Sequence, residues 1–311
     1  VANGTDAIYI ALKALGIGVG DEVITVANSW ISTSETITQT GARVVFVDIE
    51  PDHYTIDVDK IEEKITERTK AIIPVHLYGQ AADMDVIRFL CDKYELFLIE
   101  DCAQAHFAEY HGQKVGTFRD CGTFSFYPGK NLGAYGDAGA IATNNDALAR
   151  SITMIANHGS LVKHEHEIEG VNSRLDGLQA AILSVKLKYI HRWNETRREH
   201  AMTYSKLLGH IKGITLPAIR KDGSHIFHLY VIRTEKRDAL MNYLKEKGVE
   251  VAIHYPTALP FLKAYEYLGH TPEDFPVAYR YQEQILSLPM YPELTEQQIE
   301  FVAKTIHTFL K

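Results

Sequence analysis

Ala71-Ile72-Ile73-Pro74-Val75-His76, a helical pattern from Asp83 to Tyr94, and Leu96-Phe97-Leu98-Ile99-Glu100-Asp101 follow one another along the chain. Two short apolar runs with an amphipathic helix between them make a β-α-β unit, whose strands lie parallel and whose helix crosses over one face. Working outward, the same alternation continues on both sides. Strand-like runs recur at Glu22–Val26, Arg43–Asp48, Gly122–Phe126 and Gly139–Thr143, and helical patterns at Asp6–Leu15, Ser32–Gln39 and Val58–Ile65. Strands apolar on both faces, separated by helices, predict an α/β fold with a mostly parallel central sheet sandwiched by helices. Sites in such sheets form just beyond the carboxyl ends of the strands.

Past this region the pattern changes. A long helical stretch is expected from Ser173 to Leu208, with Ala180, Ala181, Leu183 and Leu187 on a repeating face. A strand at Phe227–Ile232, a helix at Lys236–Lys247, a strand at Glu250–His254 and a last helix at Thr295–Leu310 then form a smaller α+β unit. The expected division is a large domain over residues 1–200 and a small C-terminal domain over 201–311. Val1-Ala2-Asn3-Gly4 leads straight into a helix, which suggests that the chain begins inside a longer protein.

Composition excludes several classes. The 311 residues carry 32 Lys+Arg against 40 Asp+Glu, a net charge of −8, so no basic face for nucleic acid is expected. No apolar run approaches the ~18 residues of a membrane helix, and no signal peptide is visible. The three cysteines, Cys91, Cys102 and Cys121, form no CxxC pair and read as buried reduced thiols, which points to the cytoplasm. Fifteen histidines include the His158, His164-Glu165-His166 cluster, but no HExxH occurs and that segment reads as a polar loop, so no metal site is expected.

Four features carry chemistry. Gly4-Thr5-Asp6 opens a helix, where free N–H groups, the helix dipole and a hydroxyl suit a phosphate, although an ordinary cap has the same residues. Glu100-Asp101 puts carboxylates at the carboxyl end of a strand, with Gln104 three residues on. In Thr123-Phe124-Ser125-Phe126-Tyr127-Pro128-Gly129-Lys130-Asn131-Leu132-Gly133 a strand delivers Ser125, and one lysine stands among apolar and small residues. Such a lysine can lose its charge and attack an aldehyde. The stretch is not a P-loop, since Phe124 and Asn131 hold the positions of the first glycine and the final Ser/Thr. Trp30, just past the first strand, is a flat wall or a core indole. Together these suit pyridoxal phosphate, which needs a lysine, a carboxylate for its ring nitrogen, an anion cradle and a flat wall.

At this point the sequence resembles the DegT-type (DegT/DnrJ/StrS) sugar aminotransferases, pyridoxal-phosphate enzymes of the aspartate aminotransferase fold. The likeness spans essentially the whole chain. It rests on Ala2-Asn3-Gly4-Thr5-Asp6-Ala7, Gly20-Asp21-Glu22-Val23-Ile24-Thr25, Val75-His76-Leu77-Tyr78-Gly79-Gln80, Ile99-Glu100-Asp101-Cys102-Ala103-Gln104, Ser125 to Gly133, and Gly170-Val171-Asn172-Ser173-Arg174-Leu175-Asp176.

The resemblance implies that Lys130 holds the cofactor's aldehyde and moves the substrate proton, and that Asp101 pairs with the ring nitrogen with Gln104 beside it. Gly4, Thr5 and Ser125 would bind the phosphate and Trp30 would stack on the ring. Asn172 would reach the phosphate of the neighbouring subunit, giving a homodimer with shared active sites. Residues 1–200 would be the cofactor-binding domain. Glutamate would be the donor and a nucleotide-linked keto sugar the acceptor, with a dTDP-3-keto-6-deoxyhexose favoured over a 4-keto sugar or a keto-inositol. A dehydratase or lyase on the same fold is the other enzyme class; the dehydratase branch has histidine in place of the lysine, and Lys130 is intact. His76, Tyr78 and Arg174 are further candidates for the substrate side, as are His225, His228 and His254-Tyr255-Pro256 from the small domain.

Overall fold

The computed structural model describes residues 1–311. Helix α1 (Gly4–Ala14) opens the chain. Asn3 caps it by accepting from the Asp6 N–H at 2.8 Å, and Asp6 and Lys13 complement its dipole at the two ends. Ile8, Ala11 and Leu12 turn its apolar stripe inward. Then come β1 (Glu22–Val26), α2 (Ser32–Gln39), β2 (Arg43–Val47), β3 (Thr69–Ile73), α3 (Met84–Lys93) and β4 (Phe97–Asp101). In α3, Asp83 caps the first turn, while Met84, Ile87, Leu90 and Cys91 form the buried face.

A two-stranded hairpin, β5 (Glu109–Tyr110) and β6 (Gln113–Lys114), precedes β7 (Cys121–Ser125) and β8 (Gly139–Ala142). Six strands form one sheet in the order β2-β1-β3-β4-β7-β8; only β8 runs antiparallel, against β7. The strands of the predicted β-α-β unit, β3 and β4, pair in parallel. Strand order reverses at β1, with β2 on one side and β3 on the other, so the crevice of a switch point opens at the carboxyl ends.

The remaining elements are α4 (Asp146–Ala156), the hairpin β9 (Ser160–Val162) and β10 (Glu165–His166), α5 (Gly177–Lys186), α6 (Ile190–Leu208), β11 (Tyr230–Arg233), α7 (Arg237–Glu246), α8 (Pro276–Tyr281), β12 (Ile285–Leu288) and α9 (Glu296–Leu310). The β11–β12 pair, α6, α7 and α9 share a second core around Tyr204, Ile232, Leu240, Leu286 and Val302. Ala258, Leu259, Tyr265, Phe275 and Ala278 instead join the large core beneath the sheet. The segment that follows the expected boundary therefore packs on both cores. No helix is long and apolar enough to cross a membrane.

Three sequence expectations give way. Val58–Ile65 forms two short 3-10 turns, Val58–Lys60 and Glu62–Lys64, because Ile61 alone among residues 58–65 is buried and one anchor does not sustain a helix. The stretch from Ser173 to Leu208 divides into α5, a 3-10 turn at Leu187–Tyr189, and α6. Glu250–His254 is not a strand: only Ala252 bridges to Ser287. The Tyr78 hydroxyl takes the His254 carbonyl, and the His254 ring bonds Ser287 Oγ at 2.8 Å, so this backbone turns toward the crevice instead of extending the β11–β12 pair.

Candidate active site

At the carboxyl ends of the sheet lies a cleft of about 600 Å³, lined by Gly4, Thr5, Trp30, Asp101, Gln104, Ser125 and Lys130, with His228, His254 and Tyr255 entering from the C-terminal part. Seven of the eight predicted site residues thus meet in one cavity, brought together from the start of α1, the loop after β1, the end and following turn of β4, and the end and following loop of β7. Asn172, the eighth, stands outside this cleft on the exposed surface, where its backbone bridges to Asn157.

Strand alternation sorts the carboxylates at the end of β4. Asp101 faces the cleft and is buried; its Oδ2 accepts from Thr33 Oγ1 at 2.8 Å and its Oδ1 from the Ala103 N–H at 3.1 Å. Glu100 points the other way, accepting from the N–H groups of Gly116 (2.6 Å) and Phe118 (2.8 Å) and pairing with His76 Nε2 at 3.0 Å. The Ala82 N–H donates to His76 Nδ1 at 3.1 Å, so the ring proton sits on Nε2 and faces Glu100. His76 is therefore a structural strand-end residue. His76, Glu100 and Cys102 approach as metal ligands do. The Glu100 oxygens already hold three donors, however.

The cradle at α1 has two free donors. Asn3 satisfies the N–H groups of Asp6 and Ala7 with its side chain and carbonyl, which leaves those of Gly4 and Thr5 pointing out of the helix. A Cβ on Gly4 would lie 2.6 Å from Ser125 Cβ, so glycine is what lets the helix end approach β7. Ser125 Oγ accepts from the Tyr127 N–H at 3.3 Å and keeps its own proton to give. The Thr5 and Ser32 hydroxyls share a hydrogen bond of 2.7 Å. Asp6 is drawn away from the cradle by Ser173 Oγ at 2.6 Å, which keeps a negative charge from facing an incoming anion.

Lys130 sits in the turn after β7 and is largely enclosed; burial lowers its pKa, and the Asp101 carboxylate opposes that shift. A lysine so placed has a larger fraction of free amine than one in water. Trp30 is 58% exposed, so it is not a core indole; its ring stands 5.7 Å from that of Tyr255, leaving a face open to the cleft. Gln104 is clamped, accepting from the Tyr78 N–H at 2.7 Å and donating to the Tyr255 hydroxyl at 3.0 Å. The donor set suits pyridoxal phosphate: an amine, an oriented carboxylate, an anion cradle and aromatic walls occupy one cavity.

Other candidates separate. His225 is buried and stacked on Phe227 outside the cleft, and Arg174 is exposed and bonds Asn157. Tyr78 braces the site from behind through Gln104 and the His254 carbonyl. The His158–His166 hairpin is exposed and binds itself, His166 Nδ1 to the His158 carbonyl at 2.8 Å. Thr33, which orients Asp101, was not singled out from sequence; its α2 position one turn past Trp30 is the only sequence signal it carries. All three cysteines are free and buried.

The model of the DegT/DnrJ/EryC1/StrS aminotransferase family matches residues 1–307. The chain is 48% identical to the pleiotropic regulatory protein of Geobacillus stearothermophilus over 99% of its length and 84% of that protein. It is 46% identical, with the same coverage, to the dTDP-3-amino-3,6-dideoxy-alpha-D-galactopyranose transaminase of Aneurinibacillus thermoaerophilus. The crystal structure of S. venezuelae DesV in complex with a ketimine intermediate superposes with a TM-score of 0.98 at 41% identity, covering 100% of this chain and 84% of that one. The chain belongs to the DegT/DnrJ/EryC1/StrS aminotransferase family and is an aminotransferase of fold type I.

Proposed function

We propose that this enzyme moves the amino group of glutamate to a dTDP-linked 3-keto-6-deoxyhexose, using pyridoxal phosphate held by Lys130 in a homodimer. The observation that carries the reading is the enclosed Lys130 amine in a cleft that also holds Asp101 and the free N–H groups of α1.

Pyridoxal phosphate, when bound, supplies the aldehyde and the electron-withdrawing ring that transamination requires. Gly4 and Thr5 N–H groups and Ser125 Oγ would hold its phosphate, and Trp30 would cover its ring. Asp101, fixed by Thr33 and Ala103, would keep a proton on the ring nitrogen, since a buried carboxylate favours a cation opposite it. Lys130 would hold the aldehyde at rest and, once displaced by an amino substrate, would move the proton at that substrate's α-carbon. His254 and Tyr255 line the same cleft and would shield the amine from water once cofactor and substrate fill it.

Exposed apolar side chains on and near α5 support the homodimer reading. Tyr135 is 75% and Leu178 71% exposed, and Val185, Leu187 and Tyr189 are further exposed apolar side chains along and beyond α5. Such a patch marks an interface, and Asn172, exposed and outside its own cleft, would reach the partner's phosphate cradle from there.

An acceptor panel tests the sugar assignment. With glutamate as donor, dTDP-linked 3-keto-6-deoxyhexoses should turn over at least about tenfold faster in kcat/KM than 4-keto or UDP-linked 3-keto sugars, a preference of ~1.4 kcal/mol. Equal or better turnover of either rival class would overturn it.

A further inference from the structure

His228 enters the cleft beside Lys130 and has no role in the arrangement described above. A chain of oriented side chains behind it fixes its ring. Asn194 Nδ2 donates to the His106 carbonyl at 2.9 Å, which leaves Asn194 Oδ1 as an acceptor. Asn131 Nδ2 donates to that oxygen at 2.9 Å and to the Ile226 carbonyl at 3.3 Å, which leaves Asn131 Oδ1 as an acceptor. His228 Nδ1 lies 3.1 Å from Asn131 Oδ1 and must therefore be the donor. In the uncharged ring the proton is then on Nδ1 and the lone pair on Nε2.

With Lys130 in the position seen here, that Nε2 accepts no hydrogen bond, and it is not sealed in the interior, unlike both ring nitrogens of His106. It opens on the cavity shared with Lys130. The ring stays uncharged: burial lowers its pKa well below the ordinary histidine value, and positive charge on Lys130 and Arg197 pushes the same way. Lys130 is the nearest in effect of these groups, and Asn131, its neighbour in sequence, anchors the ring.

Resting on the reading of Lys130 as the reactive amine, we infer that His228 is a positioning residue: the two side chains line one cavity, and when Lys130 Nζ turns toward the unprotonated Nε2 the ring accepts a hydrogen bond that aims the amine into the cleft. An amine with one N–H fixed cannot spin freely, so its lone pair points at an incoming carbonyl more of the time. A hydroxyl-bearing donor could occupy the same acceptor when the lysine swings away.

Two substitutions separate aiming from packing. His228→Asn retains a donor at the position of Nδ1 and so keeps the Asn131 contact, but offers nothing at Nε2. His228→Gln can place a carbonyl oxygen near the position of Nε2. The full chain is stripped of cofactor and given pyridoxal phosphate, and capture at Lys130 is followed by borohydride trapping and peptide mass. His228→Asn should capture about tenfold more slowly, the factor expected of one hydrogen bond to such a group, and His228→Gln should recover most of that loss. Wild-type rates in both variants, or equal losses in both, would overturn the assignment. Nitrogen-15 shifts of the histidine rings, with His228→Gln identifying the signal, read the tautomer independently of any cofactor. Nδ1–H with bare Nε2 through the neutral pH range is expected; Nε2–H, or titration near neutrality, would overturn it. Failure of the wild-type chain to be trapped at Lys130 would refute the parent reading instead, and the nitrogen shifts would still report on His228.

Discussion

Gly4→Ala probes the anion cradle with a single methyl group. The added Cβ would lie 2.6 Å from Ser125 Cβ and 3.1 Å from its Cα, distances that force either the start of α1 or the end of β7 to move. Neither neighbour is the flexible end of a side chain, so the strain should cost about 1–3 kcal/mol of stability without cofactor. The same displacement misaligns the free N–H groups of Gly4 and Thr5 against Ser125 Oγ. Each hydrogen bond to a charged group is worth ~1.5–3 kcal/mol, so the loss of one raises the cofactor Kd about ten- to a hundredfold. Gly177→Ala is the control: it too lies at a helix start, and its Cβ would meet nothing within 4 Å. Cofactor titration followed by fluorescence, with thermal melts of the cofactor-free chains, reads both effects. A Gly4→Ala variant that binds within twofold of wild type would refute the cradle, whatever its melting temperature.

Two other expectations follow from individual contacts. Thr33→Val removes the hydroxyl that donates to Asp101 Oδ2 at 2.8 Å while keeping the side chain's shape; kcat/KM should fall about tenfold, and the buried oxygen left without its donor should cost about 1–3 kcal/mol of cofactor-free stability. Steady-state kinetics and melting curves check this together. Acid should weaken the fold through histidines held uncharged: burial pushes His106 and His225 down to about 3. The unfolded chain takes up these protons below about pH 6.5 and the folded chain does not. Stability is therefore full above that pH and is lost progressively as pH falls toward about 3, by about 2 kcal/mol per histidine at about pH 5. Urea unfolding at both pH values measures the slope, and His106→Phe should flatten it, since neither ring nitrogen of His106 has a partner.

The parallel sheet was legible because its strands are apolar on both faces, and β1 begins and ends where the pattern places it. Lys130, Asp101 and Ser125 were legible for a related reason: polar groups at the carboxyl ends of apolar strands are conspicuous. Of the Glu100-Asp101 pair the sequence reading chose Asp101, and strand alternation supplies the physical reason, turning Asp101 to the cleft and Glu100 to His76. It could not show Thr33, whose importance comes from a contact with Asp101 68 residues away, and it named Tyr78 for the substrate side without the contact to His254, 176 residues away, that gives it its role. Nor did periodicity identify the turn at His254, where long-range hydrogen bonds to Tyr78 and Ser287 override the strand propensity of Val251 and Ile253.

The central claim is that Lys130 is the amine that holds the cofactor's aldehyde and, once displaced by glutamate, moves the proton that transamination requires. The most direct measurement is 2-oxoglutarate formed when glutamate alone is added to the cofactor-loaded protein, with Lys130→Ala in parallel. One equivalent per active site from the wild-type chain, and none above background from Lys130→Ala over the same interval, is the predicted result. Product from Lys130→Ala at the wild-type rate, or none from a wild-type chain shown to hold its cofactor, would contradict the account.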